Sequence, residues 1–236
     1  LFHPSSSNQL VLMPVPMSDS EYQRLETLQS FDVLDSAQEK LFDDITELTA
    51  YLFNVPVARI AFVAGEQVWH LASTGMGAGD PLPPEQSICT RAVRRAEPVL
   101  VYEDLREDQE PVPDLMQERE VIFYAAALLS SSSGHALGTL CVAGSELRTF
   151  SPNEQEVLLC IARLVVVALE RRRKLRASHS PEAWEQVRAN VETSLAQQMV
   201  LVRYLKARTP DTIPVPQEVL DLVCSRLEDV MRVAEQ

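Results

Sequence analysis

Two apolar runs near the middle of the chain dominate its pattern of hydrophobic and polar positions. Residues 121–129 read VIFYAAALL, residues 136–144 read ALGTLCVAG, and a serine tract ending in Gly134 separates them. Two such runs around a short polar connection predict a β-hairpin. Because both strands are almost unbroken in apolar character, we expect both faces of their sheet to be covered, one of them by helices.

Shorter patterns before this hairpin predict two helices, a first hairpin, a further helix and a short strand. Asp35 or Ser36 can cap the second helix. In the third helix, Ile88, Ala92 and Val93 are expected to face inward, and Arg91, Arg94 and Arg95 outward. These elements are helices over 18–30 and 37–53, strands over 56–64 and 67–73, a helix over 84–96 and a strand over 98–102.

Two connecting segments could carry chemistry. Gly75, Gly77 and Gly79 lie in a loop whose composition suits a phosphate cradle, but the spacing is not GxGxxG and no lysine follows in a strand-to-helix context. We interpret it as a loop over the sheet. The acidic segment 103–120 predicts a short helix within a loop, where Asp104 and Asp108 either contact a cation or ligand amine or form a solvated face.

A long helix follows the central hairpin. Ser151, Pro152 and Glu154 form a helix-start pattern with a capping box. The helix then runs to Ser178 with an apolar stripe broader than one sheet face needs, so we expect the excess to pack against a partner subunit. We interpret the basic cluster 171–174 as a solvated face that complements the helix dipole, with an anion or membrane site as the alternative.

Two amphipathic helices are predicted after this point. They span 180–208 and 216–234 and are joined by the proline-rich link TPDTIPVP. Their apolar stripes predict an antiparallel helical hairpin that needs a third surface, as an appendage or a dimerisation element. We therefore divide the chain into a flexible arm over 1–17, a domain over 18–178 and a C-terminal helical hairpin over 179–236.

Composition narrows the function. The chain has 236 residues, of which 46% are hydrophobic, with a net charge of -13. This charge argues against direct binding of nucleic acid, since lysine and arginine supply most nonspecific affinity. No apolar run approaches the length of a membrane span, and the N-terminal stretch has no signal-peptide pattern. We expect a cytoplasmic protein that does not insert into membranes.

Cysteine, histidine and aromatic residues supply the remaining candidates. The four cysteines show no metal-ligand spacing and each lies in an apolar segment, which favours reduced, buried thiols. Cys141 is expected in the core. Cys89, early on its helix, is either a packed thiol or a thiol of lowered pKa that senses oxidants or attaches a chromophore. Trp69 and Tyr124 can line a pocket or fill the core. Three of the four histidines, His70, His135 and His179, are expected in solvent.

The order of elements and several phrases resemble the GAF domain, a sensor module related to PAS domains. The resemblance covers roughly residues 20–175. It rests on the ordered combination RLETLQSFDVLDS, FDDITELTAYLFNVPVARIAFV, QVWHLASTGM, QSICTRAV, PVLVYEDLRED, FYAAALL and ALGTLCVAG. It implies an α+β fold in which an antiparallel sheet has helices on both sides. It also implies a pocket roofed by the glycine loop, the Cys89 helix and the acidic loop.

This resemblance gives a set of candidate ligand-binding residues and no metal ligand or identified cofactor. The sequence departs from the family phrase YAGxPL, with alanine at 125–127, and has Ala143 and Gly144 where an acidic residue often stands. A ligand is therefore expected to be small and largely nonpolar on that side. The candidate ligand-binding residues are Trp69, Ile88, Cys89, Asp104, Tyr124 and Thr139.

Three functions are compatible with these patterns. The first is a non-catalytic sensor that dimerises through its first and long helices and acts on a signalling partner protein. The second is a thiol enzyme or redox switch that uses Cys89. The third is a ligand-free interaction scaffold whose pocket is filled by side chains.

Overall fold

A five-stranded antiparallel sheet forms the centre of the protein in a computed structural model. The structure describes residues 17–34, 38–77, 79–178, 181–207 and 213–235. The strand order is β2-β1-β5-β4-β3. The strands are β1 (Val57–Ala64), β2 (Gln67–Thr74), β3 (Val99–Tyr102), β4 (Phe123–Ser130) and β5 (Ala136–Gly144).

The predicted central hairpin is confirmed as β4 and β5. Ala125 pairs with Val142, and Ala126 pairs with Cys141. Seven successive β4 residues are buried, from Phe123 to Leu129. Because neighbouring strand residues point to opposite faces, this unbroken burial means that both faces are covered, as the apolar pattern indicated.

Seven α-helices of the described residues surround the sheet. They are α1 (Asp19–Ser30), α2 (Lys40–Phe53), α3 (Ile88–Arg95), α4 (Asp114–Glu118), α5 (Pro152–Ala177), α6 (Pro181–Lys206) and α7 (Gln217–Glu235). The segment predicted as one helix over 84–96 begins as a 3₁₀ turn, Pro84–Gln86, before α3. Helix α2 begins at Lys40, while the expected caps Asp35 and Ser36 lie outside the described residues. Most of the predicted N-terminal arm also lies outside them.

The larger core lies between the sheet and the layer formed by α2 and α5. Phe62, Leu140 and Val142 project into it from the strands, and Ile161 and Val165 from α5. Helices α6 and α7 extend the same core. The C-terminal hairpin therefore folds back onto the domain: α7 packs along α5, and α6 contacts α2. The broad stripe on α5 is covered by α7 of the same chain.

Polar side chains fix the helical layer, and one of them corrects a sequence-based expectation. Arg172, predicted in solvent with its basic neighbours, is fully buried. Its guanidinium pairs with Glu39 and donates to the carbonyl oxygens of Phe31 and Asp32 at 2.9 and 3.2 Å. Trp184 of α6 donates its indole N–H to the other Glu39 oxygen at 3.3 Å. Glu39 thus joins α5, α6 and the loop after α1.

The predicted start of α5 is confirmed. Ser151 and Glu154 form a capping box in which each side chain accepts from the other residue's backbone N–H. Glu154 is fully buried and forms a salt bridge with Arg148 at 2.6 Å. It also accepts a hydrogen bond from the backbone N–H of Val215 at 3.2 Å. One carboxylate therefore caps α5 and holds the segment that leads into α7. Among the helices that the structure describes, none has the length and apolarity to cross a membrane.

Candidate functional site

A second, smaller core lies on the face of the sheet opposite α5, beneath α3. Its centre is a cavity of about 30 Å³, which has room for a water molecule but not for a metabolite. We call it the thiol pocket. Its lining includes Arg59, His70, Ser87, Ile88, Cys89, Met116, Tyr124 and Cys141.

The start of α3 places Cys89 at the pocket. Ser87 adopts an extended conformation as N-cap, and its hydroxyl accepts from the backbone N–H of Cys89 at 3.3 Å. Ile88, Cys89 and Ala92 lie on the buried side of the helix. Cys89 therefore combines burial with a position in the first turn, where the helix dipole favours negative charge.

The sheet supplies the groups that face Cys89. Tyr124 Oη lies 3.3 Å from Cys89 Sγ and shares a hydrogen bond with it. Cys141 follows from the register, because its partner Ala126 is two residues from Tyr124 and thus on the same face. The Thr139 hydroxyl, two residues before Cys141, is buried and makes no hydrogen bond of ordinary geometry among the described residues.

These neighbours shift the pKa values of the two thiols in opposite directions. A side-chain hydrogen bond with Cys141 is the main cause that lowers the pKa of Cys89 from 9.0 to about 5. Burial opposes it, while Thr139, Tyr124 and Ser87 also favour the thiolate. The pKa of Cys141 is raised well above its usual value, first by the hydrogen bond with Cys89 and then by burial. The two thiols titrate as a coupled pair in which Cys89 is the more acidic partner.

A buried cation completes the pocket. Arg59 of β1 pairs across the sheet with Cys141, so its side chain shares their face. Its guanidinium donates to Ser73 Oγ at 3.0 Å and to the Gly77 carbonyl at 2.5 Å. His70 Nε2 lies 3.4 Å from it and must accept, since a guanidinium offers only donors. Burial lowers the pKa of Arg59, and the two thiols oppose that shift.

The structure brings four of the six predicted site residues together. Ile88, Cys89 and Tyr124 line the pocket, and Thr139 lies beside the thiols. Trp69 is a correction: it pairs with Phe62, which belongs to the larger core, so it lies on the other face. Asp104 is also a correction, because it caps a surface 3₁₀ turn and pairs with Arg106 at 2.7 Å.

Arg59 was not among the residues predicted for the site, and the expectation that His70 lies in solvent is wrong. His70 is buried and faces the pocket. A signal for Arg59 was present, since it is the one charged residue in the otherwise apolar run PVARIAFVA. A charge within a buried strand needs polar partners and therefore marks a site. His135 is half-buried beside Thr27 at 3.0 Å, and His179 lies outside the described residues.

The acidic loop is tied to α3 by an ion pair that the helix pattern did not predict. Arg91, expected to point outward, is buried and pairs with Asp108 at 2.6 Å. Glu110 contacts Arg94 and Arg95 at 2.8 and 2.9 Å. The loop continues into α4, from which Met116 reaches the pocket. The predicted short helix within this loop is confirmed. The glycine loop, α3 and the acidic segment each contribute side chains to the lining of the thiol pocket.

The glycine loop has a structural reason for Gly75. This residue has φ +78°, and a Cβ there would lie 1.7 Å from the Pro56 carbonyl oxygen. Close backbone approach therefore accounts for Gly75 without a phosphate. Met76 follows it and lines the thiol pocket. Within the described part of the chain, no group of three or more metal-ligating side chains converges.

An open vestibule adjoins the pocket. It has a volume of about 550 Å³ and lies between the ends of β1 and β5 and helix α4. Val57, Met76, Val121 and Ala143 line both spaces. A larger groove of about 890 Å³ runs along the acidic loop, and Val121 is the residue that the described linings of groove and pocket share. The vestibule therefore borders the thiol pocket on the side of α4.

An antiparallel sheet with a roofed pocket on one face and long helices on the other defines an α+β sensor-type domain. The family model described as GAF domain matches residues 38–169, which is more than half of the chain. The chain belongs to the GAF domain family, whose members are sensory and regulatory modules.

Individual relatives are distant. A cyclic di-GMP phosphodiesterase of Pseudomonas aeruginosa is 25% identical over 184 residues, which cover 76% of this chain. The chain spans only 31% of that relative's length.

Two solved structures support the fold alone. The PixJ GAF domain of Thermosynechococcus elongatus, in its blue-light absorbing form, is 14% identical with a TM-score of 0.51, covering 70% of this chain and 96% of that one. The GAF domain of a phosphoenolpyruvate-protein phosphotransferase from Coxiella burnetii is 12% identical with the same TM-score, covering 68% and 99%.

Proposed function

We propose that this chain is a non-catalytic, cytoplasmic regulatory module. A change at the thiol pocket passes through the sheet to the C-terminal helices. The observation that carries this proposal is the two-sided burial of β4 and β5. Tyr124, Ala126 and Cys141 face the pocket, while their neighbours Ala125 and Val142 face the core that α5, α6 and α7 share. A shift of either strand must move both cores, because packed interiors leave little free volume.

The pocket sets limits on a ligand. Its cavity of about 30 Å³ admits a small molecule only if Met116 and α4 move toward the vestibule. Of the three alanines at 125–127, Ala126 lies on the pocket side of β4, whereas Arg59 supplies a cation on the β1 side. A ligand of this site is small, largely apolar toward β4, and polar or anionic at one end. A bound polyanionic nucleotide would contradict this assignment.

The module regulates a signalling protein, which is either a separate partner or an enzyme attached to the same polypeptide. The Pseudomonas aeruginosa relative is a cyclic di-GMP phosphodiesterase and is about three times longer than the matched region. We therefore favour control of cyclic di-GMP turnover as the output. Hydrolysis of cyclic di-GMP by this chain alone would overturn the non-catalytic assignment.

Transmission can be tested with a single tryptophan. The chain has two tryptophans, so Trp69→Phe leaves Trp184 of α6 as the reporter. In that background, Ala126→Val overfills the pocket side of β4. We expect changed Trp184 emission and faster hydrogen exchange in α6 and α7. The matched control, Ala177→Val, places the same change at an exposed site in the helical layer and should alter neither. Exchange changes confined to α3 and the strands would contradict transmission.

A further inference from the structure

Two cysteines from distant parts of the chain meet in the thiol pocket. Cys89 comes from the first turn of α3 and Cys141 from the middle of β5, and both line the same cavity. Their exposed fractions are 5% and 4%. The interaction between their side chains is the largest influence on the acidity of each. The fold therefore presents a buried dithiol.

The surroundings distinguish an attacking thiol from a resolving thiol. Cys89 has Ser87, Tyr124 and Thr139 as hydrogen-bonding neighbours that favour its thiolate. The Thr139 hydroxyl is fully buried and lacks another partner of ordinary geometry among the described residues, so it is available to the sulfur. The Arg59 guanidinium adds positive charge beside both sulfurs. The pKa of Cys141 is raised by its interaction with Cys89 and by burial.

The access and size of the cavity select the oxidant. A space of about 30 Å³ fits a molecule of the size of water or hydrogen peroxide and excludes glutathione-sized disulfides. The open vestibule shares Met76 and Val121 with this space. We propose that Cys89 and Cys141 form a reversible intramolecular disulfide when the protein meets hydrogen peroxide, with Cys89 attacking and Cys141 resolving.

The chemistry balances with peroxide as the only co-reactant. The Cys89 thiolate attacks one peroxide oxygen, an S–O bond forms, the O–O bond breaks, and the leaving hydroxide takes a proton to become water. The Cys141 sulfur then attacks the sulfenic sulfur, so that an S–S bond forms and the S–O bond breaks. The departing hydroxide takes the Cys141 proton. Two thiols lose two electrons and two protons, and peroxide becomes two waters.

The disulfide links α3 to β5, the strand that also faces the helical layer. Its effect on α6 and α7 rests on the proposed function, whereas its formation does not. The two are read separately, the bond by mass and transmission by Trp184 emission. If the cross-link forms but the emission of Trp184 does not change, transmission is overturned and the disulfide proposal stands.

The experiment compares two cysteine pairs within the intact chain. Cys160 of α5 and Cys224 of α7 also neighbour each other, but burial raises the pKa of Cys160 to about 12. After brief treatment with hydrogen peroxide, peptide mapping without reductant should show the Cys89–Cys141 cross-link. It should form at least about tenfold faster than a Cys160–Cys224 cross-link and disappear with dithiothreitol. Faster oxidation of Cys160 and Cys224, or unmodified Cys89, overturns the proposal.

Variants assign the two roles. In Cys141→Ala, Cys89 should accumulate sulfenic acid that dimedone traps, because the resolving thiol is gone. In Cys89→Ala, Cys141 should stay a thiol under the same treatment. Circular dichroism checks that each variant is folded, and Cys89→Ser repeats the test with a side chain that keeps the polar contacts. Dimedone labelling of Cys141 rather than Cys89 would reverse the roles and contradict the assignment.

Discussion

At the scale of single residues, the site depends on two thiols that share one charge. Cys89 has a lowered pKa because Cys141, Tyr124 and Thr139 stabilise its thiolate more than burial destabilises it. Cys160 is a natural contrast, since its side chain is as little exposed as that of Cys89 and its pKa is raised to about 12. The difference between the two cysteines lies in the hydrogen-bonding neighbours that each side chain meets, not in exposure.

This difference predicts a pH dependence of stability. Between pH 5 and 9, the folded chain has released the Cys89 proton and the unfolded chain still holds it. A higher pH therefore favours the folded state. The contribution is fully present near pH 9 and is lost as pH falls toward 5. Above pH 9 the sign reverses, because folded Cys141 keeps a proton that the unfolded chain loses.

Denaturant unfolding under reducing conditions measures the effect. The free energy of unfolding of the wild type, relative to Cys89→Ala, should rise with pH between 5 and 9. Relative to Cys160→Ala it should stay level over this range, because Cys160 is protonated in both states. Parallel curves for the wild type and Cys89→Ala would contradict a lowered pKa at Cys89.

Residue-scale predictions from sequence succeeded where the cause was local. The Ser151 and Glu154 capping box was read from spacing alone, because its partners are three residues apart. Arg91, Arg172 and His70 were misplaced. Their burial depends on partners such as Asp108 and Glu39 that are distant in the chain. A long cationic side chain at a helix surface is expected in solvent until such a partner is known.

At the scale of elements, the close contact between β1 and β5 constrains the sheet. Gly138 of β5 pairs with Phe62, and a Cβ there would lie 2.0 Å from the Ala61 carbonyl oxygen. The Ala61 carbonyl belongs to the backbone of a paired strand, so it cannot move aside as an exposed side chain could. The glycine in LGTLCV therefore permits the close approach that brings Arg59 beside Cys141.

Substitution of this glycine has a matched control in the chain. Gly138→Ala should lower the free energy of unfolding by at least about 2 kcal/mol, because it overpacks two paired strands. Gly77→Ala adds the same methyl group where nothing lies within 4 Å of the new Cβ, so its effect should stay within about 0.5 kcal/mol. Thermal or urea unfolding distinguishes the two. Equal stability of the two variants would contradict the close approach.

The existence and order of the elements followed from the sequence, since periodicity and turn residues act within a few positions. The hairpin of β4 and β5 and the helices α5, α6 and α7 all formed near their expected bounds. The sequence predicted less well which face of each element packs against which neighbour. Trp69 was assigned to the pocket, but the alternation along β2, which has a register shift opposite Ile60 and Ala61, places it on the other face.

At the scale of the whole molecule, the C-terminal hairpin supplies the cover that α5 needs. The broad apolar stripe on α5 suggested a partner subunit, yet α7 packs along it within the same chain. Homodimerisation remains a prediction, and the first helix is the remaining surface that the sequence offered for it. Exposed aromatic side chains include Tyr22 of α1, which is 60% accessible.

One variant on α7 tests this cover. Leu227 is fully buried in the core shared by α5 and α7, whereas Ser225 on the same helix is exposed. Leu227→Asp places an unpaired charge in that core at a cost of several kcal/mol. It should release α7, expose the apolar stripe of α5 and make the chain self-associate.

Light scattering should then show a mass that rises with concentration, together with faster hydrogen exchange in α5. Ser225→Asp, with the same added charge, should behave as the wild type. If the wild type is already a dimer and Leu227→Asp returns it to a monomer, then α7 contributes to an interface between chains, and the intramolecular cover is not its main role.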